Sequence, residues 1–422
     1  MQKPEQMSTS EIAHNSDYYI ALENEFGAHN YHPLPVVLDR GEGVFVWDVE
    51  GKKYYDFLSA YSAVNQGHSN PKIVNAMVEQ CQKLALTSRA FYNSKLGSFE
   101  EKITSLFGFD KVLPMNSGAE AVETAVKLAR KWSYEVKGIS ENSAKIIVCE
   151  NNFHGRTTTI VSFSNDPDAN KNYGPFTPGF IKIPYNDLTA LEEVLENEAY
   201  NIAAFLVEPI QGEAGVFVPD DGYLRAVSEL CKKHNVLFIA DEVQTGIART
   251  GKLIACQHEN VQPDILILGK ALSGGMYPVS AVLANNEIMN VIQPGQHGST
   301  FGGNPLACAV ATAALDVVLE ENLSEKAEEL GTLFRNEIEK LIAKTNLITK
   351  VRGKGLLNAI LINDSPDSKT AWNICLKLKE NGLLAKPTHG NIIRLAPPLV
   401  ITKDQLLDCV AIIEKTISDF TI

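Results

Sequence analysis

Four short and almost wholly apolar runs limit what this chain can fold into: "AKIIVCE", "AAFLVEP", "NVLFIADE" and "DILILGK". A strand with one wet face alternates apolar and polar residues, whereas a strand with no polar position has to be covered on both sides. Between the second and third runs lies "GYLRAVSELCKKH", an amphipathic helix. Strand–helix–strand alternation with continuous apolar strands predicts a parallel sheet between two layers of helices, an α/β fold.

The alternation extends from "GVFVWDVEGKKYYDF", which reads as two strands around a Glu50-Gly51 turn, to about residue 310. After Pro305 a long helical pattern begins. "SEKAEELGTLFRNEIEKLIAK" then places Leu330, Leu333, Phe334, Ile338, Leu341 and Ile342 on one face. The final hundred residues read as a smaller α/β unit, and 422 residues are enough for two domains.

The formal charge of −13 argues against nucleic acid or an anionic membrane as partner. The longest apolar stretch, Leu306 to Leu315, is too short to span a bilayer. The seven cysteines form no C-x-x-C pair and the nine histidines no H-E-x-x-H, so neither a disulfide framework nor a metal is predicted. The opening "MQKPEQMSTSEIAHNSDYYI" has no apolar core like a secretory leader's and no arginine, so the cytoplasm is expected.

Three features fall at the carboxyl ends of the predicted strands, the edge where open α/β sheets hold ligands. Lys270 follows the run Ile265–Leu268. A lone lysine there is usually a solvated charge. A phosphate-loop role fails, since Asp264 stands where that motif needs glycine and Ala271 follows the lysine. A desolvated amine can also be a covalent handle for a carbonyl. In "MNSGAEAVETAVKLAR", Ser117 and Glu120 form a capping box at a helix start, and Gly118 leaves the free amides open to a phosphate. Asp241 ends a fully apolar strand, where a carboxylate needs a cationic partner. A phosphate cradle, a buried aspartate and a carbonyl-binding lysine together describe a pyridoxal 5'-phosphate site. The rival nicotinamide fold would need G-x-G-x-x-G, and "GKGLLN" at Gly353 ends in Asn358.

With these residues in view, the chain resembles the subgroup III aminotransferases of the aspartate-aminotransferase fold from about Gly27 onward. The markers are "GAHNYHPLPV", "FLSAYSAVNQGH", "LTSRAFYN", "VEPIQGEAG", "IADEVQTGIARTG", "LGKALSGGMYPVSAV", "HGSTFGGNPL", "VRGKGLLNAI" and "GLLAKPTHGNIIRLAPPLV". The resemblance implies a large cofactor-binding domain over 61–310, with a mostly parallel sheet flanked by helices. It implies a small α/β domain built from 1–60 and 311–422.

It also implies roles. Lys270 bonds the cofactor aldehyde and shuttles the proton, and Asp241 pairs with the ring nitrogen. Phe153 and Val243 flank the ring, and Gln244 hydrogen-bonds its phenolic oxygen. Ser117, Gly118 and Ala119 hold the phosphate, joined across a homodimer by Thr300 of the neighbouring subunit, and Ser299 is a further cofactor-binding residue. Relatives often carry threonine, valine and tryptophan where this chain has Ser117, Ala119 and His154.

Within the family, Tyr31 and Tyr61 together point to the branch that moves the δ-amino group of L-ornithine to 2-oxoglutarate, in arginine and proline metabolism. There Arg394 would grip the carboxylate beside the reacting carbon of 2-oxoglutarate, and Glu213 would mask Arg394 while ornithine is bound. Arg156 would hold the distal carboxylate, Tyr31 the α-amino group, and Tyr61 would narrow the site. Acetylornithine or 4-aminobutyrate as amine donor, and an inactive structural relative, remain the alternative readings.

Overall fold

The computed structural model describes residues 15–420; most of the opening stretch on which the expectation of no leader rests lies outside that range. The described chain starts with a helix, α1 (Ser16–Phe26), and the strands β1 (Leu38–Glu42), β2 (Phe45–Asp48) and β3 (Lys53–Asp56). β2 and β3 pair antiparallel about the Glu50-Gly51 turn, as the sequence predicts.

Then comes the large sheet: β4 (Lys111–Met115), helix α2 (Gly118–Trp132), β5 (Lys145–Cys149), β6 (Phe180–Ile183), β7 (Ile202–Val207), helix α3 (Tyr223–Lys233), β8 (Leu237–Asp241), β9 (Ile265–Leu268) and β10 (Ser280–Ala284). Its order is β4-β10-β9-β8-β7-β5-β6. Strands β5 to β9 run parallel, while β10 lies antiparallel between β4 and β9. The four apolar runs are β5, β7, β8 and β9.

Covering on both faces is visible residue by residue. Phe205, Phe238, Leu266 and Leu268 point into one core, and Ala204, Leu206, Ile239, Ile265 and Ile267 into the other. Helix α3 closes the first through Leu224, Val227 and Cys231. Helix α2 closes the second through Ala121, Val122, Ala125, Val126 and Ala129. Each fully buried Ile or Leu in these strands contributes roughly 1.5–3 kcal/mol, so the sheet is a stiff platform for whatever its strand tips carry.

Helices α4 (Pro305–Glu320) and α5 (Leu323–Ile342) lead into a second region. It holds β11 (Ile348–Lys354), β12 (Leu357–Ile362), β13 (Leu383–Leu384), β14 (Lys386–Thr388), β15 (Ile392–Leu395) and the last helix, α6 (Lys403–Ser418). On α5, Leu330, Phe334, Ile338 and Leu341 are buried, with Leu333 and Ile342 half-buried against them. Strands β11-β12-β15-β14 form one sheet, and β13 joins β1-β2-β3 in another. "GKGLLN" is the hairpin between β11 and β12 and opens no helix, which removes the nicotinamide reading on geometry. No helix among the described residues is long and apolar enough to cross a membrane.

Candidate active site

The carboxyl ends of β4, β8 and β9 point to the same edge of the large sheet, and a cleft of about 190 Å³ opens there. Its floor is the start of α2. Ser117 caps that helix: its Oγ accepts the Glu120 N–H at 3.2 Å, and Glu120 returns a carboxylate to the Ser117 N–H at 2.7 Å. Gly118 and Ala119 line the cleft, their N–H groups in the first turn where a helix has no internal acceptor for them. A Cβ on Gly118 would meet Val243 at 3.0 Å, so glycine lets this turn approach the strand tip closely without displacing that side chain.

Asp241 ends β8 only 5% exposed. One carboxylate oxygen accepts the Val243 N–H, and the other lies 2.6 Å from His154 Nδ1. Burial opposes a charge on His154, yet the hydrogen bond and charge of Asp241, with Glu208 behind it, carry its pKa above the usual value. His154 Nε2 is buried without a partner. Glu208 immediately follows β7, at the strand tip beside Asp241 of β8; it accepts the Phe153 N–H at 2.9 Å. Burial pushes its carboxyl up to about 8, against the pull of His154.

Lys270 follows β9 with φ +45°, a left-handed conformation that is uncommon for a side-chain-bearing residue. Burial lowers its ammonium to about 8; the nearby Glu213 carboxylate opposes the shift and the Arg394 charge adds to it. An amine of this kind is partly neutral near neutral pH, so it can act as nucleophile or base.

Beside the lysine, Arg394 of β15 meets Glu213 in a fork, Nη1 to Oε1 at 3.0 Å and Nη2 to Oε2 at 3.2 Å. Burial alone would raise the Glu213 pKa, but the Arg394 charge and hydrogen bonds hold it below the ordinary value. Gln244 lies between them, accepting from Arg394 Nη1 at 2.9 Å and donating to Glu213 Oε1 at 3.1 Å. It fits because residue 212 is glycine: a Cβ there would sit 1.8 Å from the Gln244 Oε1. The face of Arg394 is covered by the Tyr61 ring, 4.6 Å from Cζ to centroid. Burial raises the Tyr61 phenol; Arg394 opposes, while Glu213 and Tyr31 add.

Tyr61 owes its place to an unusual backbone. Ser59, Ala60, Tyr61 and Ser62 all have positive φ, at 49°, 46°, 59° and 70°. A left-handed residue with a side chain costs about 1–2 kcal/mol, so four in a row persist only where their surroundings hold them.

Of the site residues expected from sequence, the structure therefore gathers Gly118, Ala119, Phe153, Asp241, Val243, Gln244 and Lys270 around one cleft, with Ser117 at its rim and Glu213, Arg394 and Tyr61 beside it. Ser299 is tied to the same corner, accepting from Asn116 at 2.8 Å. Thr300 is exposed and does not line the cleft of its own chain. Arg156 is exposed, its guanidinium 5.6 Å from the Phe153 ring, and Tyr31 is 71% exposed. The sequence reading missed Glu208, the His154–Asp241 contact, the need for Gly212 and the left-handed turn. Only Glu208 carried a readable signal, since "AAFLVEP" ends an apolar run on a carboxylate just as "VLFIAD" does.

Residues 26–417 match the family model described as aminotransferase class-III. The mitochondrial ornithine aminotransferase of Drosophila ananassae is 65% identical over 95% of this chain and 91% of the fly protein. The crystal structure of the acetylornithine aminotransferase of Elizabethkingia anophelis is 85% identical, with a TM-score of 0.91 over 96% of this chain and all of that one. The ornithine aminotransferase of Toxoplasma gondii superposes with a TM-score of 0.93 at 48% identity, over 96% and 95% of the two chains. Cleft, sheet and sequence agree, and the chain belongs to the class-III aminotransferases.

Proposed function

We propose that this aminotransferase moves the δ-amino group of L-ornithine to 2-oxoglutarate, giving L-glutamate 5-semialdehyde and L-glutamate, with pyridoxal 5'-phosphate as cofactor. The observation that carries the reading is the forked Arg394–Glu213 pair beside Lys270. Ornithine's δ-carbon bears no carboxylate, so a masked arginine suits it. 2-Oxoglutarate has a carboxylate next to its reacting carbon, and Arg394 suits that once Glu213 turns away. Relatives at 55–65% identity over nearly the whole chain carry the ornithine name.

The residues present fit the cofactor. The amides of Gly118 and Ala119, capped by Ser117, would take its phosphate, and Asp241, braced by His154, would keep a proton on its ring nitrogen. Phe153 and Val243 would flank the ring. Gln244 would serve its phenolic oxygen, and Lys270 would hold its aldehyde. When bound, pyridoxal phosphate supplies the electron sink for the carbanion left at the substrate carbon. Lys270 Nζ takes the proton from that carbon and returns it. Arg156 holds the distal carboxylate of either substrate, and Tyr31 the α-amino group of ornithine. Tyr61 closes the wall beside Arg394 and excludes water from its face.

The reading extends to a homodimer in which Thr300 completes the neighbour's phosphate site, consistent with Thr300 lying outside its own cleft. The exposed Phe91, Tyr92 and Phe301 suit a subunit contact. We place the domain boundaries at 60 and 310. The seven free thiols, six of them buried, suit the reducing cytoplasm.

N-acetylornithine as amine donor is the second reading, favoured by the name of the Elizabethkingia protein. Turnover of the purified holoenzyme with ornithine, N-acetylornithine and 4-aminobutyrate, products identified by mass spectrometry, separates the readings. A specificity constant for N-acetylornithine equal to or above that for ornithine rejects the first.

A further inference from the structure

We propose that Asp56 is a positioning residue for this reaction: through the left-handed turn Ser59–Ser62 it holds the Tyr61 ring on Arg394, keeping the guanidinium aimed when Glu213 leaves it. The inference rests on the reading of Glu213 as the group that turns aside.

The turn is restrained from several sides, and Asp56 holds its entry. Its Oδ1 accepts the N–H of Leu58 at 2.8 Å and of Ser59 at 2.9 Å, which fixes the entry into the turn. Its Oδ2 is hydrogen-bonded to His68 Nε2 at 2.7 Å, which fixes the carboxylate itself. The exit is closed by Ser59 O, which accepts from Ala63 N–H at 2.8 Å and Val64 N–H at 3.3 Å. Ser59 Oγ donates to Ala396 O at 2.7 Å, and Ala396 N–H donates to Phe57 O at 2.8 Å. Ala396 follows Arg394 by two residues, so turn and arginine strand are tied to each other and not merely adjacent.

The consequence is at Arg394. Its edge is held by Glu213 and Gln244, its face by Tyr61, and its Nε is buried without a partner. Once Glu213 departs, Gln244 and the Tyr61 ring are what remain to orient the fork towards an incoming carboxylate. A carboxylate recognised by two parallel N–H groups demands that orientation. Ornithine, reacting at a carbon without a carboxylate, does not use it. Asp56 therefore acts on one half-reaction much more than on the other.

The test uses the holoenzyme and single-turnover kinetics of each half-reaction in Asp56→Ala, Asp56→Asn, Tyr61→Ala and the Asp56→Ala/Tyr61→Ala double variant. Asp56→Ala is expected to raise the apparent KM for 2-oxoglutarate by about tenfold, equivalent to ~1.4 kcal/mol of binding, and to leave the ornithine step nearly unchanged. Asp56→Asn, which keeps the acceptor for both amides, restores most of the loss. In the Tyr61→Ala background Asp56→Ala adds nothing. Equal losses in both half-reactions, or the same KM increase with Tyr61 already removed, would overturn the proposal. If Asp56→Ala chains do not fold, Ser59→Ala loosens the same turn at its tie to Ala396 and must show the same one-sided loss. The 2-oxoglutarate step can be read with any amine donor, so failure of the ornithine assignment and failure of this proposal give different results.

Discussion

Arg394 and Glu213 meet edge to edge with both oxygens of the carboxylate engaged, and Gln244 bridges the same two side chains. The pair is nearly dry on the arginine side, with 3% of that side chain exposed against 23% for the glutamate. The more accessible partner is the one able to move. Breaking such a pair by deleting one partner commonly costs about 3–5 kcal/mol, because the other charge stays buried. An incoming carboxylate can repay that cost and a neutral carbon cannot.

Glu213→Ala should accordingly shift reactivity towards α-amino acids. The ratio of single-turnover rates, glutamate over ornithine, is expected to rise about tenfold or more, equivalent to ~1.4 kcal/mol. Rapid-mixing absorbance measurements of each half-reaction check it. A parallel fall in both rates counts against a switch.

Lys270→Ala should leave a folded protein without turnover and without covalent cofactor; borohydride reduction followed by peptide mapping must find pyridoxal phosphate on no other lysine. The apoprotein adds a pH signature. The folded-state pKa of Lys270 is about 8, below an unfolded value near 10.4. Between those values the unfolded chain binds a proton that the folded chain does not, so stability rises with pH across that window. Below about 8 both states carry the proton and the desolvation penalty is complete. Apo Lys270→Met should thus be more stable than the parent at pH 7, by up to roughly 3 kcal/mol. The difference should shrink above about pH 8, as read by urea unfolding.

Ala60 is exposed and has φ +46°, so glycine there removes strain without losing buried surface. The relief of about 1–2 kcal/mol exceeds the 0.5–1 kcal/mol entropic cost of glycine. Ala60→Gly should raise Tm by about a degree in calorimetry, because a chain of 422 residues spreads a small free-energy gain over a large unfolding entropy; a lower Tm would show that the turn is not strained.

A homodimer with shared sites predicts rescue between two inactive variants. Mixing Lys270→Ala chains with Thr300→Ala chains crippled in phosphate binding should give hybrids with one repaired site. That site takes Lys270 from one chain and Thr300 from the other. Activity recovered after refolding the mixture, towards a quarter of the parent value at equal ratios under random pairing, checks it. Full activity at monomer mass on high dilution rejects it.

By itself the sequence determined the parts of this protein whose signal is local. Continuous apolar runs could only become strands covered on both faces, and so β5, β7, β8 and β9 were readable, as were the capping box at Ser117 and the helices over Leu323–Ile342 and Tyr223–Lys233. Lys270 and Asp241 were legible too, because a charge at the tip of an apolar strand needs a reason. Tertiary structure alone decided contacts between residues far apart in the chain. His154 meets Asp241 across 87 positions, and Gln244 meets Arg394 across 150. No periodicity announces that "SAYS" turns left-handed: right-handed backbone is the local preference of those residues, and the contacts that oppose it, from Asp56, His68 and the Ala396 carbonyl among others, come from outside the turn. Local propensity wrote the sheet, and long-range hydrogen bonds set the geometry around Arg394.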